Sequence, residues 1–237
     1  MKNMLFIMNP KAGRTTLKNS LVDVLEVFCN NDYAVRTYLT KSADDAERIV
    51  QEEGANYDVI VCAGGDGTLG NTVTGYMKSG IKVPLGYIPC GSTNDFARSM
   101  DIPSETVEAA EMIVKAEPFS IDIGSLNDKN FVYVAAFGMF SDTSYATPQN
   151  MKNIFGHAAY VLQGIKSLAN VPSYKMKVTI DGDEQEGEFI FGMVSNSISV
   201  GGFKSITRKG VEFDDGLFEG VLIRTIKTVS YTHLTLP

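Results

Sequence analysis

Apolar and polar residues alternate along the first half of the chain in blocks that predict strands followed by helices. Short apolar runs indicate buried strands, and apolar residues spaced three or four apart indicate amphipathic helices. The predicted strands cover residues 4–8, 34–40, 57–63 and 82–88. The predicted helices begin after residue 14, at the N-cap Ser42, near Thr68, at Phe96 and at Pro103. This order predicts a mostly parallel sheet with helices on both faces.

After about residue 120 the pattern becomes that of antiparallel strands. It predicts a hairpin of 119–126 with 130–137, a helix over 150–169, a hairpin of 174–180 with 187–195, and a strand over 217–226. We therefore expect an α/β domain over 1–122 and a β-rich domain over 123–229. Residues 230–237 continue no pattern and resemble a translated cloning artefact, so we expect a fragment with a non-native tail.

Composition narrows the class of protein. The 237 residues carry a net charge of −7, which disfavours binding to nucleic acid. Three widely spaced cysteines suit neither a zinc site nor a disulfide framework. The apolar run at 4–8 is too short for a signal peptide, and no apolar run is long enough to span a membrane. A cytoplasmic location is therefore expected.

Three loops, at residues 9–14, 64–68 and 89–95, each follow a predicted strand and should meet at one edge of the sheet. The loop Gly64-Gly65-Asp66-Gly67-Thr68 is typical of phosphate binding, because glycines allow backbone N–H groups to approach a phosphate. No lysine follows it as in a Walker A loop. Asp66 would repel phosphate unless a cation lies between them. The alternative is a tight strand-to-helix turn with Asp66 as a helix cap.

Further carboxylates strengthen the cation hypothesis. Asp66, Asp95 and Asp122 could share a hard cation, directly or through water, and Mg²⁺ fits best. Alternatively, Asp95 caps a helix and Asp122 is an exposed edge residue. The turn over 212–217 could also hold a cation, although spacing alone favours an ordinary β-turn. His157 and His233 form no catalytic pair, so the sequence favours phosphoryl transfer over nucleophilic catalysis.

Together these motifs resemble the diacylglycerol kinase family, in its bacterial soluble branch, over residues 2–226. The glycine loop alone is shared with NAD kinases and phosphofructokinase-like enzymes, whereas Gly91 to Arg98 is typical of lipid kinases. Other matching motifs are Asn9-Pro10 with Gly13, residues 121–124, residues 144–148 and residues 214–216. The resemblance implies an α/β nucleotide-binding domain of three layers, followed by an antiparallel β-sandwich that is incomplete here.

The resemblance also implies residue roles. Asp66, Asp95 and Asp122 would form an aspartate–water–magnesium network. Glu212 and Leu217, through their carbonyls, and Asp215, through its carboxylate, would hold a structural Mg²⁺, which favours a cation site over a plain turn. The implied ATP-binding residues are Asn9, Pro10, Lys11, Ala12, Gly13, Thr40, Gly65, Asp66, Gly67, Thr68, Leu69, Gly70, Asn71 and Ser92.

The implied reaction is ATP-dependent phosphorylation of diacylglycerol to phosphatidate at the inner face of the membrane. The family's general base lies in a later motif that no residue of this chain matches, so we expect the 237 residues alone to be nearly inactive. A kinase of a soluble substrate, like NAD kinase, and a non-catalytic nucleotide-binding protein stay open, as does a homodimer. The helix predicted over 150–169 could be an interfacial helix, although a helix covering a sheet is the more common reading.

Overall fold

The computed structural model describes residues 1–12, 16–138, 172–197, 199–200, 203–204 and 211–225. Its first sheet has four parallel strands in the order β2-β1-β3-β4. These strands are β1 (Lys2–Met8), β2 (Tyr33–Leu39), β3 (Val59–Gly64) and β4 (Leu85–Pro89). Every residue of β3 is buried, as expected for a central strand covered on both faces.

Helices cover both faces of this sheet. Residues of β1 alternate between them: Phe6 contacts the α1 residue Phe28, whereas Leu5 and Ile7 lie in the cluster that includes Ile49 of α2. A fully buried side chain of this size contributes about 1.5–3 kcal/mol. The helices are α1 (Thr16–Asn30), α2 (Asp45–Glu53), α3 (Asp66–Ser79), α4 (Asp95–Ser99) and α5 (Thr106–Lys115). The three-layer α/β prediction is confirmed.

Two helices begin at residues other than those predicted. Helix α2 has Asp44 as its N-cap, not Ser42. The Asp45 carboxylate reaches back instead to the N–H groups of Lys41 (2.6 Å) and Ser42 (3.2 Å). Helix α3 begins at Asp66 rather than near Thr68, because the Gly65 carbonyl already accepts the N–H groups of Thr68 and Leu69.

The first predicted hairpin is shorter than expected. Strand β5 (Gly124–Leu126) pairs only with β6 (Lys129–Phe131). Thr74 of α3 accepts the Asn130 N–H at 3.2 Å, and Val132 is buried in the same core cluster as Val73. Packing against α3 therefore ends the hairpin after Phe131, and β7 (Val134–Gly138) pairs in another sheet.

That other sheet is antiparallel and separate from the parallel one. Its long strand β9 pairs with β8 from Ile180↔Asp183 to Tyr174↔Phe189, so the second predicted hairpin is present, but its second strand begins at Asp183 rather than at residue 187. Strand β12 pairs on β9 between Glu219↔Ser195 and Arg224↔Phe189. These strands are β8 (Tyr174–Ile180), β9 (Asp183–Ser195) and β12 (Glu219–Arg224), and the short strands β10 (Ser199–Val200) and β11 (Phe203–Lys204) form a further pair.

The chain divides into two compact units, and the division differs from a single boundary after residue 122. One unit comprises the described parts of residues 1–134 and 196–217, and the other those of 135–195 and 218–237. The helix predicted over 150–169 and the tail 230–237 lie outside the described residues. Among the helices that are described, none is long and apolar enough to cross a bilayer.

Candidate nucleotide and cation site

The loops that follow β3 and β4 touch each other at two glycines. A Cβ added at Gly91 would lie 2.7 Å from the Gly65 Cα, and one added at Gly65 would lie 3.2 Å from the Gly91 Cα. Any larger residue would push the loops apart. The sequence therefore places glycine where two backbones must approach, at the carboxyl edge of the sheet where ligands bind in α/β proteins.

Asp66 joins these two loops through its side chain. Its carboxylate oxygens accept the N–H groups of Asp95 (3.3 Å) and Phe96 (3.4 Å), the first two residues of α4. Asp66 thus supplies the negative charge that the N-terminus of a helix favours. The alternative in which Asp66 caps a helix is partly right, although the capped helix is α4 and not α3.

Burial raises the pKa of the Asp66 carboxyl, and the nearby charge of Asp95 raises it further, while the N–H groups of α4 oppose both effects. Asp95 itself is 3 % exposed. The neighbouring Asp95 carboxylate thus disfavours the charged form of Asp66. A bound cation would remove this conflict, so the charge distribution fits the expected role of the pair.

The loop after β1 is tied to the glycine loop. Asn9 Nδ2 donates to Thr68 Oγ1 at 3.0 Å, and Asn9 Oδ1 accepts the Lys11 N–H at 3.0 Å. Thr40 follows β2 at the same edge of the sheet, and its N–H donates a hydrogen bond to the Met8 carbonyl. Asn71 connects α3 to the loop before α2 by donating to the Ala43 carbonyl at 2.8 Å.

The remaining predicted nucleotide residues differ in what they offer a ligand. Leu69 is 2 % exposed and packs into the core, so only its backbone could contact a nucleotide. Lys11 and Gly67 are exposed, whereas Pro10, Ala12 and Gly70 are half-buried. Gly13 lies outside the described residues. The structure thus gathers Asn9, Thr40, Gly65 and Thr68 at one edge of the sheet.

The loop after β4 is closed by an asparagine. Asn94 adopts a left-handed conformation (φ 49°), accepts the Gly91 N–H at 2.8 Å and donates to the Gly91 carbonyl at 2.9 Å. Tyr87 of β4 donates to the Gly64 carbonyl at 3.1 Å, which ties this strand to the glycine loop. A cavity of about 280 Å³ lies beside the closed loop, and Ser92 and Arg98 line it.

Asp122 lies against the predicted cation turn. Its N–H donates to the Phe213 carbonyl at 2.7 Å, and its Oδ2 accepts the Gly216 N–H at 2.6 Å. Within the turn, Asp215 Oδ1 accepts the Leu217 N–H at 2.9 Å. The alternative in which Asp122 is only an edge residue does not account for these bonds.

These residues suit a cation that keeps its water. Across the described ranges, no three His, Cys, Asp or Glu side chains surround one point as direct metal ligands. Glu212, Asp215 and Leu217 are exposed residues, so the turn lies at the surface, where a hydrated ion can approach it. Mg²⁺ retains several waters and often binds through one or two carboxylates. The residues present therefore fit a water-mediated site, and the three-aspartate network stays a prediction.

Sequence reasoning missed Asn196. This residue is 1 % exposed and donates from Nδ2 to the carbonyls of Asp122 (3.3 Å) and Phe213 (3.2 Å). The only signal was a polar run directly after an apolar strand, Ser195-Asn196-Ser197, which by itself predicts a loop. Its partners are 74 and 17 residues away in the sequence, so no local pattern could reveal them.

Comparison with known proteins identifies the family. The model of the family described as "Diacylglycerol kinase catalytic domain" matches residues 3–126. The chain is 33 % identical to a diacylglycerol kinase of Bacillus subtilis over 99 % of this chain and 78 % of the relative. It is 31 % identical to a diacylglycerol kinase of Staphylococcus aureus (strain Newman), over 98 % of this chain and 74 % of the relative.

Solved structures show the same likeness. The crystal structure of a diacylglycerol kinase from Bacillus anthracis superposes with a TM-score of 0.75 at 28 % identity, covering 94 % of this chain and 74 % of that one. The fold and the matches together define an α/β phosphotransferase of the kinase class. The chain belongs to the diacylglycerol kinase catalytic domain family.

Proposed function

We propose that this chain is an ATP-dependent lipid kinase that transfers the γ-phosphoryl group of ATP to the hydroxyl of diacylglycerol and forms phosphatidate. The contact between the glycine loops at Gly65 and Gly91, with the Asp66 carboxylate bonded to α4, is the observation that carries the proposal. Family membership supports the lipid acceptor, because the relatives are named diacylglycerol kinases.

The residues would act mainly by positioning. Backbone N–H groups of the glycine loop would bind nucleotide phosphates, and the Asn9 bond to Thr68 would hold the first loop beside them. Asp66 and Asp95 would orient a hydrated Mg²⁺. When bound, Mg²⁺ neutralises the charge that develops on the phosphoryl oxygens during transfer.

The acceptor proton needs a general base that the resemblance assigns to a motif without a match in this chain. The general-base motif is resembled, in residue types alone, by Asp181-Gly182-Asp183-Glu184. Asp181 and Gly182 form the left-handed turn between β8 and β9 (φ 49° and 93°). We therefore infer that the 237-residue polypeptide binds nucleotide but transfers phosphoryl groups poorly. The acceptor would be reached by peripheral contact with the inner face of the membrane, from the cytoplasm.

An acceptor panel tests the reaction class. The chain is incubated with labelled ATP and MgCl₂, together with diacylglycerol in phosphatidylglycerol vesicles, with NAD, or with no acceptor. Products are separated by thin-layer chromatography. The proposal expects at most trace label, found in phosphatidate only, and the Asp66→Asn variant is the matched background.

Each result bears on a separate part of the proposal. Robust phosphatidate formation would support the lipid kinase and refute the missing-base inference. Label in NADP would overturn the lipid acceptor in favour of a kinase of a soluble substrate. Phosphatidate label above background that is equal in the wild type and in Asp66→Asn would contradict catalysis by the proposed site within these 237 residues.

A further inference from the structure

Two adjacent polar residues, Asn196 and Ser197, are buried almost completely, at 1 % and 0 % exposure. Buried polar side chains keep their hydrogen-bond partners, so those partners indicate what the residues hold in place. Neither residue belongs to the nucleotide or cation residues implied by the resemblance. Both lie in the first compact unit, together with Asp66, Asp95 and Asp122.

Asn196 holds the chain at Asp122. Its Nδ2 donates to the Asp122 carbonyl at 3.3 Å and to the Phe213 carbonyl at 3.2 Å. Two carbonyl acceptors fix the orientation of the amide, because Oδ1 cannot donate to them. The Asn196 N–H also donates to the Tyr133 carbonyl at 3.0 Å. Asn196 thus clamps Asp122 to the turn that contains Asp215.

Ser197 connects the same segment to the helix of Asp95. Its Oγ lies 2.7 Å from the Ser99 Oγ, and the Ser99 Oγ donates to the Asp95 carbonyl at 3.0 Å. Ser99 is the last residue of α4, and Asp95 is the first. The adjacent residues Asn196 and Ser197 therefore bind the segment that contains Asp122 and the helix that begins at Asp95.

One acceptor of this arrangement lacks a donor. Asn196 Oδ1 is buried and accepts no hydrogen bond from the residues that the structure describes. Oδ1 belongs to the same amide group as the Nδ2 that donates to the carbonyls of Asp122 and Phe213. A buried acceptor near an acidic turn suits a water molecule that has both protons to donate, such as a water bound to a divalent cation.

We propose that Asn196 and Ser197 form a brace that sets the spacing between Asp95 and Asp122, and that Asn196 Oδ1 accepts a hydrogen bond from a water of the divalent cation held at the 212–217 turn. Both are positioning residues, since they act through the aspartates. The proposal rests on the proposed function only for the identity of the cation, Mg²⁺. Partners that orient metal ligands typically change metal affinity by about 10–100-fold when they are removed.

The test measures Mg²⁺ affinity and not activity. The thermal unfolding midpoint of the 237-residue chain is followed against MgCl₂ alone, and again with a non-hydrolysable ATP analogue. We expect Asn196→Leu, which keeps the volume of the side chain, to raise the half-saturating Mg²⁺ concentration about tenfold or more. Ser197→Ala should raise it by less, because it keeps the Asn196 clamp. Asp215→Asn should abolish the response to MgCl₂ alone.

Thr74→Val is the matched control. Thr74 is 1 % exposed and bonds two backbone groups, the Gly70 carbonyl and the Asn130 N–H, neither of which belongs to the 212–217 turn. It should lower the unfolding midpoint and leave the half-saturating Mg²⁺ concentration unchanged. Any other variant that only destabilises the fold should likewise lower the midpoint without changing the half-saturating Mg²⁺ concentration. If Asn196→Leu does not fold, Ser197→Ala becomes the test of the brace. A half-saturating Mg²⁺ concentration that rises more in Ser197→Ala than in Thr74→Val would then support the brace.

Three results would overturn the inference: an Asn196→Leu half-saturation within twofold of wild type, equal shifts in Asn196→Leu and Thr74→Val, or a wild type that does not respond to MgCl₂. The nucleotide arm keeps this failure separate from failure of the proposed function. An ATP analogue that stabilises the chain while Asn196 has no effect contradicts only the brace. A brace effect without any nucleotide stabilisation contradicts only the kinase.

Discussion

Burial of the Asp66 carboxylate is unfavourable, whereas its hydrogen bonds to α4 are favourable. Its carboxylate accepts two backbone N–H groups, yet burial and the charge of Asp95 raise its pKa. The ionised form is therefore less stable in the folded chain than in the unfolded one. This penalty on the free energy of unfolding is present at pH 7 and disappears as the pH falls through the raised pKa towards the unfolded value of about 3.9.

Replacement of Asp66 by asparagine should therefore not lower the free energy of unfolding, although it should weaken the Mg²⁺-dependent binding of ATP. In metal-free buffer at pH 7 we expect Asp66→Asn to unfold at the wild-type temperature or above it, with the difference shrinking towards pH 4. Thermal unfolding followed by circular dichroism across this pH range measures the effect. A variant clearly less stable than wild type at pH 7 would show that the bonds to α4 outweigh the burial of charge.

Replacement of Asp45 should change the stability of the chain in the opposite direction from replacement of Asp66. The Lys41 and Ser42 N–H groups and Arg48 lower its pKa, and the Lys41 N–H has the largest effect. Asp45→Asn should therefore destabilise the chain at pH 7, and the difference should vanish as the pH falls through the lowered folded-state pKa. The same thermal measurement checks it, and a difference that persists unchanged at pH 2 would contradict the electrostatic cause.

At the scale of elements, the glycine loops depend on close backbone approach. Gly91→Ala would place a methyl group 2.7 Å from both the Gly65 Cα and the Asn94 Oδ1, and we expect it to cost about 1–3 kcal/mol of the free energy of unfolding. Gly67→Ala is the matched control, because no atom lies within 4 Å of its added Cβ. It should be neutral or stabilise α3 by up to about 1 kcal/mol.

Urea unfolding of both alanine variants measures these two effects under the same conditions. A Gly91→Ala chain as stable as Gly67→Ala would show that the two loops can separate without loss, which would remove the structural reason for glycine at both positions. A loss confined to Gly91→Ala supports the close contact between the loops.

Elements were predictable where one local pattern dominated. Residues 4–8 of β1 and the whole of β3 are continuous apolar runs, and their burial follows directly from that pattern. The predicted start of α2 at Ser42 was wrong, because the side chain that binds the local backbone N–H groups is that of Asp45 and not that of Ser42. The end of β6 depends on Val132 and Asn130 packing on α3, more than 50 residues earlier in the chain, which no local spacing reports.

At the scale of the whole molecule, the parallel sheet brings residues from distant loops to one edge, and the sequence allowed that edge to be predicted. The order of strands and helices predicted the three-layer fold, and the glycine loop predicts a phosphate ligand at that edge. The division into units was not predictable, because residues 196–217 return to the first unit through contacts such as those of Asn196 and Phe213 with Asp122.

The most direct test of the account is calorimetric titration of ATP into the 237-residue chain, with and without MgCl₂, for wild type and Asp66→Asn. The account predicts saturable binding of ATP that requires Mg²⁺ and that weakens at least about tenfold in Asp66→Asn, because a charged group that orients the metal is lost. Absence of binding to the wild type, or equal Mg²⁺-dependent binding by both chains, would contradict the assignment of the loop after β3 as the site of Mg²⁺ and ATP.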